Sequence, residues 1–118
     1  MLTMDHRLDF RAPIDMLLNK YVAGLPRVCR ATNISRSGML IHKLLEPDVE
    51  QNVVGLQFQL PGQDRIITAA GKVVYQHPWV RAVGVRFTNL SDDHRSLIER
   101  YVLDQMDWRH VLRGLKAD

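Results

Sequence analysis

The stretch Thr32-Asn33-Ile34-Ser35-Arg36-Ser37-Gly38-Met39 lies between two runs with strand character, residues 28–34 and 39–44, and is predicted to form the corner of a hairpin. Asn and Ser favour such corners because their short side chains hydrogen-bond to the local backbone. Gly38 permits a positive φ and leaves room for a close approach to the main chain. Because hairpin corners expose backbone, ligands often bind there.

Two arginines upstream, Arg7 and Arg11, have the spacing R-x-x-x-R on a polar segment that ends before Pro13. Residues four apart share a side both in an extended chain and in a helical turn, so both guanidinium groups can face one ligand. Alone, N-x-S-x-x-G is typical of an ordinary corner, and the arginines are typical of a solvated basic tail. The two patterns together favour a binding site.

Length and composition favour a single globular domain, with 118 residues, of which 46% are hydrophobic and 25% charged. The formal charge of +3 favours an anionic partner and leaves nucleic acid, a nucleotide, an acidic protein face and an anionic lipid open. No apolar run approaches the ~20 residues that a bilayer span needs. Residues 1–10 carry Asp5 and Asp9 where a signal peptide needs its apolar region. The chain is therefore predicted to be cytoplasmic, without membrane insertion.

Strand signals recur at short intervals, and no helical pattern interrupts them. The segments with strand character are residues 14–22, 27–34, 39–44, 54–60, 66–76 and 79–87. The cleanest alternation puts Val54, Leu56, Phe58 and Leu60 on one face. Six short, closely spaced strands predict a mainly β fold, a small six-stranded antiparallel barrel that leaves no exposed sheet edge. The single Cys29, in the second strand, is predicted to be a buried small hydrophobe.

A C-terminal helix is predicted over about residues 91–113. Ser91 is the predicted N-cap, and Asp92 and Asp93 in the first turn complement the helix dipole. Apolar residues then recur at three and four, which is typical of an amphipathic helix. The predicted organisation is an N-terminal arm, residues 1–12, followed by one barrel domain with its helix, residues 13–118.

R-x-x-x-R, then a strand or two, then (D/N)-x-S-x-x-G at the tip of a hairpin, resembles the PilZ domain, the bacterial receptor module for cyclic dimeric GMP. The resemblance covers nearly the whole chain, because residues 83–87 (Val-Gly-Val-Arg-Phe) match the family's G-[VI]-x-F and a C-terminal helix follows. Position 33 is Asn where the family more often has Asp. An amide offers one acceptor oxygen and no charge, so it holds the N–H groups of guanine less tightly than a carboxylate does.

The resemblance implies a site for cyclic di-GMP formed by Arg7, Arg11, Asn33, Ser35 and Gly38. An arginine fork makes paired hydrogen bonds to guanine's Hoogsteen acceptors or to phosphate oxygens, and its flat face stacks on a purine. Asn33 and Ser35 are assigned to the base's Watson–Crick edge. Two flanking residues, His6 and Arg36, are further candidates. Tyr75 and Trp79 either provide a stacking platform or, as is usual for aromatic residues in strands, fill the core.

Catalysis finds little support in the sequence. Gly71-Lys72 is followed by Val73 where a phosphate-binding loop needs Ser or Thr, and the histidines lack metal-ligand spacing. Ser35 and Ser37 lack the G-x-S-x-G context of a nucleophile. The chain is therefore predicted not to be an enzyme and to hold no metal or cofactor.

Two classes of function remain open. The first is an adaptor whose N-terminal arm changes conformation when cyclic di-GMP binds and which then signals to an unidentified effector protein. The second is a PilZ-like protein-interaction module that binds no nucleotide. Nucleic-acid binding is not expected, because aromatic residues do not alternate with Lys and Arg along one sheet face.

Overall fold

The computed structural model describes residues 10–44, 52–77 and 79–116, with side chains as far as residue 106. The elements are β1 (Ala12–Val22), β2 (Leu25–Ile34), β3 (Gly38–Lys43), β4 (Val53–Phe58), β5 (Ile67–Gln76), β6 (Ala82–Asn89) and one helix, α1 (Asp92–Lys116). The predicted six-stranded antiparallel barrel with a C-terminal helix is confirmed.

The strands form a closed barrel in the order β1-β2-β3-β6-β5-β4. Closure comes from antiparallel pairing of β1 with β4, in which Asn19 lies opposite Gln57. Since every neighbouring pair is antiparallel, the barrel has one end at the β2–β3 corner and the other at the turn between β1 and β2.

Alternate side chains of the strands point inward and fill the barrel interior. The predicted inward row of Val54, Leu56, Phe58 and Leu60 is buried, and so is Cys29, as predicted. The inward row of β1 continues from its apolar residues to Lys20, which is also fully buried and has an interaction partner.

Several strand boundaries differ from the predicted ones because of turn geometry. The β1–β2 turn is only Ala23-Gly24, and both residues have positive φ. Strand β2 therefore includes Pro26, which the sequence placed in the turn. Proline is tolerated there because the pairing of β2 with β3 begins only at Cys29, so no ladder bond on that side is lost. At the other end β1 begins at Ala12, the last residue of the predicted arm.

Strand β6 was predicted at residues 79–87 and is observed at Ala82–Asn89. The difference places Trp79 in the connection from β5, where its side chain is 87% exposed. Residues 79–81 were predicted to be part of the strand because Trp79 is an aromatic residue, a type common in strands. They lie instead in the turn between β5 and β6.

The helix closes one end of the barrel. Its start is confirmed, because Ser91 Oγ accepts a hydrogen bond from His94 N at 3.2 Å. Ile98 and Val102 are fully buried in the same core as the strands. Gln63 Nε2 in the β4–β5 connection donates to Leu97 O at 3.1 Å, which fixes α1 at the end that holds the β2–β3 corner. Within the described part of the chain, α1 lacks the apolar length required for a bilayer crossing.

Candidate functional site

Asn33 reaches the outer surface of the barrel because β2 has a bulge. Ala31 and Ile34 are both fully buried, although regular alternation would put residues three apart on opposite faces. The register shifts between Ala31 and Asn33, so Thr32 is the extra residue. Asn33 consequently lies opposite Leu40, between two inward positions of β3, and faces outward.

The second arginine of the R-x-x-x-R pattern contacts this asparagine directly. Arg11 Nη1 donates a hydrogen bond to Asn33 Oδ1 at 3.0 Å. The contact follows from the register between β1 and β2. Pro13 pairs with Asn33, so Arg11, two residues before Pro13, lies close to Asn33. The structure therefore brings Arg11 of the first motif and Asn33 of the second together at the surface.

Ser35 holds the shape of the corner. Its side chain is only 1% exposed, and its Oγ accepts from Ser37 N at 3.2 Å and bonds to Ser37 Oγ at 3.1 Å. Its backbone N donates to Gly38 O at 2.8 Å. Because the hydroxyl is satisfied within the corner, its contribution is to fix the local backbone.

Gly38 is required for close packing of strands. A Cβ at this position would lie 2.1 Å from Val85 O of β6, a distance that no side chain tolerates. Gly38 permits a positive φ but does not adopt one, so its role here is to allow the close approach of β6. Ser37 O, one residue before Gly38, accepts a hydrogen bond from Phe87 N at 2.8 Å, so the corner is held against the C-terminal part of β6.

Positive charge surrounds the corner. Arg11 is exposed, Arg36 is partly exposed, and Arg86 is exposed on β6 beside Gly38. On the outer face of β1 and β2, Arg30 Nε forms an ion pair with Asp15 Oδ1 at 3.6 Å. The candidates His6 and Arg7 lie outside the described residues. The part of the site that the structure describes therefore suits an anion.

The helix contacts the strand that leads into this site. Tyr101 Oη donates to Pro13 O at 3.1 Å, two residues beyond Arg11. Burial raises the pKa of the Tyr101 hydroxyl above its ordinary value of 10.0. The neutral phenol thus ties α1 to the beginning of β1.

The two aromatic candidates lie outside the core. Tyr75 is 49% exposed and its ring covers Gly84, where an added Cβ would lie 2.1 Å from the tyrosine Cε1. Register places Tyr75 on the same row as Asn33, through Leu40 and Gly84. Trp79 lies in the connection at the far end of the barrel, so the structure does not bring it to the corner.

Sequence reasoning placed Ser37 in the corner without a binding role and did not single out Arg86. Ser37 occupies a variable position of the motif, and Arg86 occupies the variable position of the G-[VI]-x-F match. Only the pairing of β3 with β6 shows that Arg86 lies at the corner. Within the described residues, His, Cys, Asp and Glu side chains form no cluster that could hold a metal ion.

A family model described as "PilZ domain" matches residues 5–104, which include both motifs and all six strands. No curated protein sequence matches the chain.

Among solved structures, the chain resembles the Bacillus subtilis inhibitor of motility (MotI/DgrA), with a TM-score of 0.62 and 13% identity. The match covers 81% of this chain and 49% of that protein, so the chain spans about half of its length. At 13% identity, this similarity shows only that the two proteins share a fold.

Proposed function

Because the chain belongs to the PilZ domain family, we propose that it is a receptor for cyclic dimeric GMP that acts through an effector protein. The proposed ligand site consists of Arg7, Arg11, Asn33, Ser35 and Gly38, with His6 and Arg36 at its edge. The observation that carries this proposal is the hydrogen bond between Arg11 and Asn33, which joins the two halves of the site.

In the proposed complex, Asn33 reads guanine while it remains bonded to Arg11. An amide oxygen has two lone pairs, so Oδ1 can accept from the arginine and from a guanine N–H together. Arg11 Nη1 is engaged, and the remaining donors of its fork are available for a phosphate or for the Hoogsteen edge of the base. The bond therefore orients the arginine before the ligand arrives and lowers the entropy lost on binding.

Ser35 and Gly38 support binding by fixing the corner. The Ser35 hydroxyl is bonded within the corner, and Gly38 allows β3 to lie against the Val85 carbonyl. Both residues hold Asn33 at a constant position relative to β6. In this proposal they set the geometry of the site, and the arginines and Asn33 supply most of the contacts.

The conformational step of the proposal concerns residues 1–9, which lie outside the described residues. Ala12 is buried in β1, and the Pro13 carbonyl is bonded to Tyr101, so the chain is anchored immediately after Arg11. Arg7 lies five residues before Ala12, the first residue of that anchor. When it binds a ligand held at the corner, the segment between Arg7 and Arg11 is drawn over the nucleotide, and the altered surface is what the effector recognises.

Titration calorimetry with cyclic dimeric GMP tests the site, with GTP and cyclic dimeric AMP as comparison ligands. Arg11→Ala and Asn33→Ala should each weaken binding by about 1–3 kcal/mol, the range for a lost paired contact to a base. Neither change should alter the melting temperature by more than about 1 °C, because both side chains lie outside the core.

Arg65→Ala is the matched control, since Arg65 is an exposed arginine on the β4–β5 connection and its removal changes the net charge equally. Binding that is equal in wild type, Arg11→Ala and Asn33→Ala would refute the site. An absence of binding by the wild-type protein would refute the receptor proposal and favour the protein-interaction module.

Limited trypsin digestion tests the movement of the arm. Cleavage after Arg7 should slow when cyclic dimeric GMP saturates the protein. Cleavage after Arg27 and Arg30 should be slow with and without ligand, because both lie within β2. A rate after Arg7 that ligand leaves unchanged would show that the arm does not close.

A further inference from the structure

Two basic residues lie directly opposite each other on the outer face beside the corner. Arg86 of β6 pairs with Gly38 of β3 on one side and with Lys72 of β5 on the other. Val85 is buried in the barrel, so Arg86 faces outward, and both basic side chains are exposed. The three positions form one row that runs away from the corner.

This pairing is unfavourable in the protein alone. Like charges directly opposite on neighbouring antiparallel strands destabilise a sheet. Among the described side chains, neither Arg86 nor Lys72 has a carboxylate within 4 Å, whereas Arg30 on the neighbouring face is paired with Asp15. The described fold thus contains a repulsion that it does not relieve.

Distance places the pair within reach of a ligand at the corner. Neighbouring strands lie about 4.8 Å apart, so the backbone of Arg86 is one strand spacing from Gly38 and that of Lys72 is two. Arginine and lysine have long side chains, and both of these are solvent-exposed. An anion bound over the corner therefore comes within range of their charged ends.

We propose that Arg86 and Lys72 form an additional anion subsite, which takes a phosphate of the nucleotide bound at the motif corner. This inference rests on the function proposed above and adds two contacts that neither sequence motif contains. The arginine fork binds two phosphate oxygens, and the lysine supplies a point charge. The bound phosphate relieves the repulsion between the two side chains.

Calorimetry with cyclic dimeric GMP tests the subsite in Arg86→Ala, Lys72→Gln and Lys72→Glu, with Arg65→Ala as the charge-matched control. Arg86→Ala should weaken binding about tenfold and Lys72→Gln about threefold, as expected for charge-assisted contacts at an exposed site. Binding by either variant should also depend less steeply on NaCl concentration than binding by the control, because a phosphate contact is lost.

Thermal unfolding provides a second readout, which reports the repulsion between Arg86 and Lys72 in the protein without ligand. Lys72→Glu replaces the repulsive pair with an attractive one and should raise the melting temperature by about 1–4 °C while it weakens binding. Opposite changes in stability and affinity support the subsite. Affinity and salt dependence in Arg86→Ala equal to those of Arg65→Ala would overturn it while the proposed function stands. A wild-type protein that fails to bind would overturn both.

Discussion

The two ends of the barrel differ in how much of their surface is packed. At the motif end, which holds the Asn33–Gly38 corner, α1 covers the opening and Ile98 and Val102 are fully buried. At the turn end, which holds the Ala23-Gly24 turn and the β5–β6 connection, Leu25 is 61% exposed and Trp79 87% exposed. The motif end is where the proposed ligand requires side chains in fixed positions.

The difference indicates that the two ends tolerate change unequally. At the motif end the backbone of three elements is joined by specific contacts, such as Ser37 O with Phe87 N and Tyr101 with Pro13. At the turn end, large side chains lie in solvent and contribute little to the core. The same kind of substitution should therefore destabilise the protein more at the motif end than at the turn end.

Glycine substitution should give the largest contrast. Gly38→Ala places a Cβ 2.1 Å from Val85 O and forces β3 away from β6, which we expect to destabilise the protein by about 2–3 kcal/mol. Gly24→Ala meets no atom within 4 Å and suffers only from its positive φ, a cost of about 1–2 kcal/mol.

Urea unfolding of the two variants measures the contrast, and nucleotide titration extends it. Gly38→Ala should also lose affinity for cyclic dimeric GMP, because the corner moves, whereas Gly24→Ala should retain it. Equal losses of stability, or a Gly38→Ala variant with full affinity, would contradict the distinction between the two ends.

Much of the fold was predictable from local signals. The alternation of Val54, Leu56 and Phe58 and the cap at Ser91 depend on residues close in sequence, and each predicted its element correctly. The strand character of residues 28–34 and 39–44 was sufficient to place the hairpin corner between them. These features need no knowledge of which strands become neighbours.

The parts of the site that escaped prediction depend on register between strands distant in sequence. The bulge at Thr32 turns Asn33 outward, and the pairing of Gly38 with Arg86 brings a third arginine to the corner. Neither the bulge nor the pairing leaves a pattern within one strand. For the same reason, the atom that Gly38 accommodates, the Val85 carbonyl, was not foreseeable.

Removal of one tyrosine hydroxyl at each end should give a smaller contrast in stability than the glycine substitutions. Tyr101→Phe removes the hydrogen bond to Pro13 O and should destabilise the protein by about 1 kcal/mol, because the carbonyl is left without that partner. Tyr21→Phe removes a partly buried bond to Gln57 Oε1 near the turn end and should have a smaller effect, since water can replace it.

The pH dependence of unfolding identifies the Tyr101 contribution. Its folded pKa is raised above 10.0, so the unfolded chain loses the proton first as the pH rises. The contribution is complete below pH 10.0 and is lost above it, until the folded form also ionises. Wild type should therefore lose stability more steeply than Tyr101→Phe above this pH. Parallel curves for the two proteins would show that the hydroxyl does not titrate from its buried contact with Pro13 of β1.

Ala23 provides the smallest test, and it is expected to improve stability. Its φ of 51° lies in the left-handed region, which is unfavourable for alanine, and Gly24 follows with φ 80°. Two successive positive values are what a two-residue hairpin turn with Asn-Gly adopts. Ala23→Asn should therefore stabilise the barrel by about 0.5 kcal/mol, since asparagine tolerates this conformation.

The turn lies at the end away from the corner, so affinity for cyclic dimeric GMP should stay within about twofold of wild type, a difference of about 0.4 kcal/mol. Loss of stability would mean that the turn does not hold these angles in solution. A stabilised variant with altered affinity would mean that the two ends are coupled through the barrel, and the independence inferred from their packing would then be wrong.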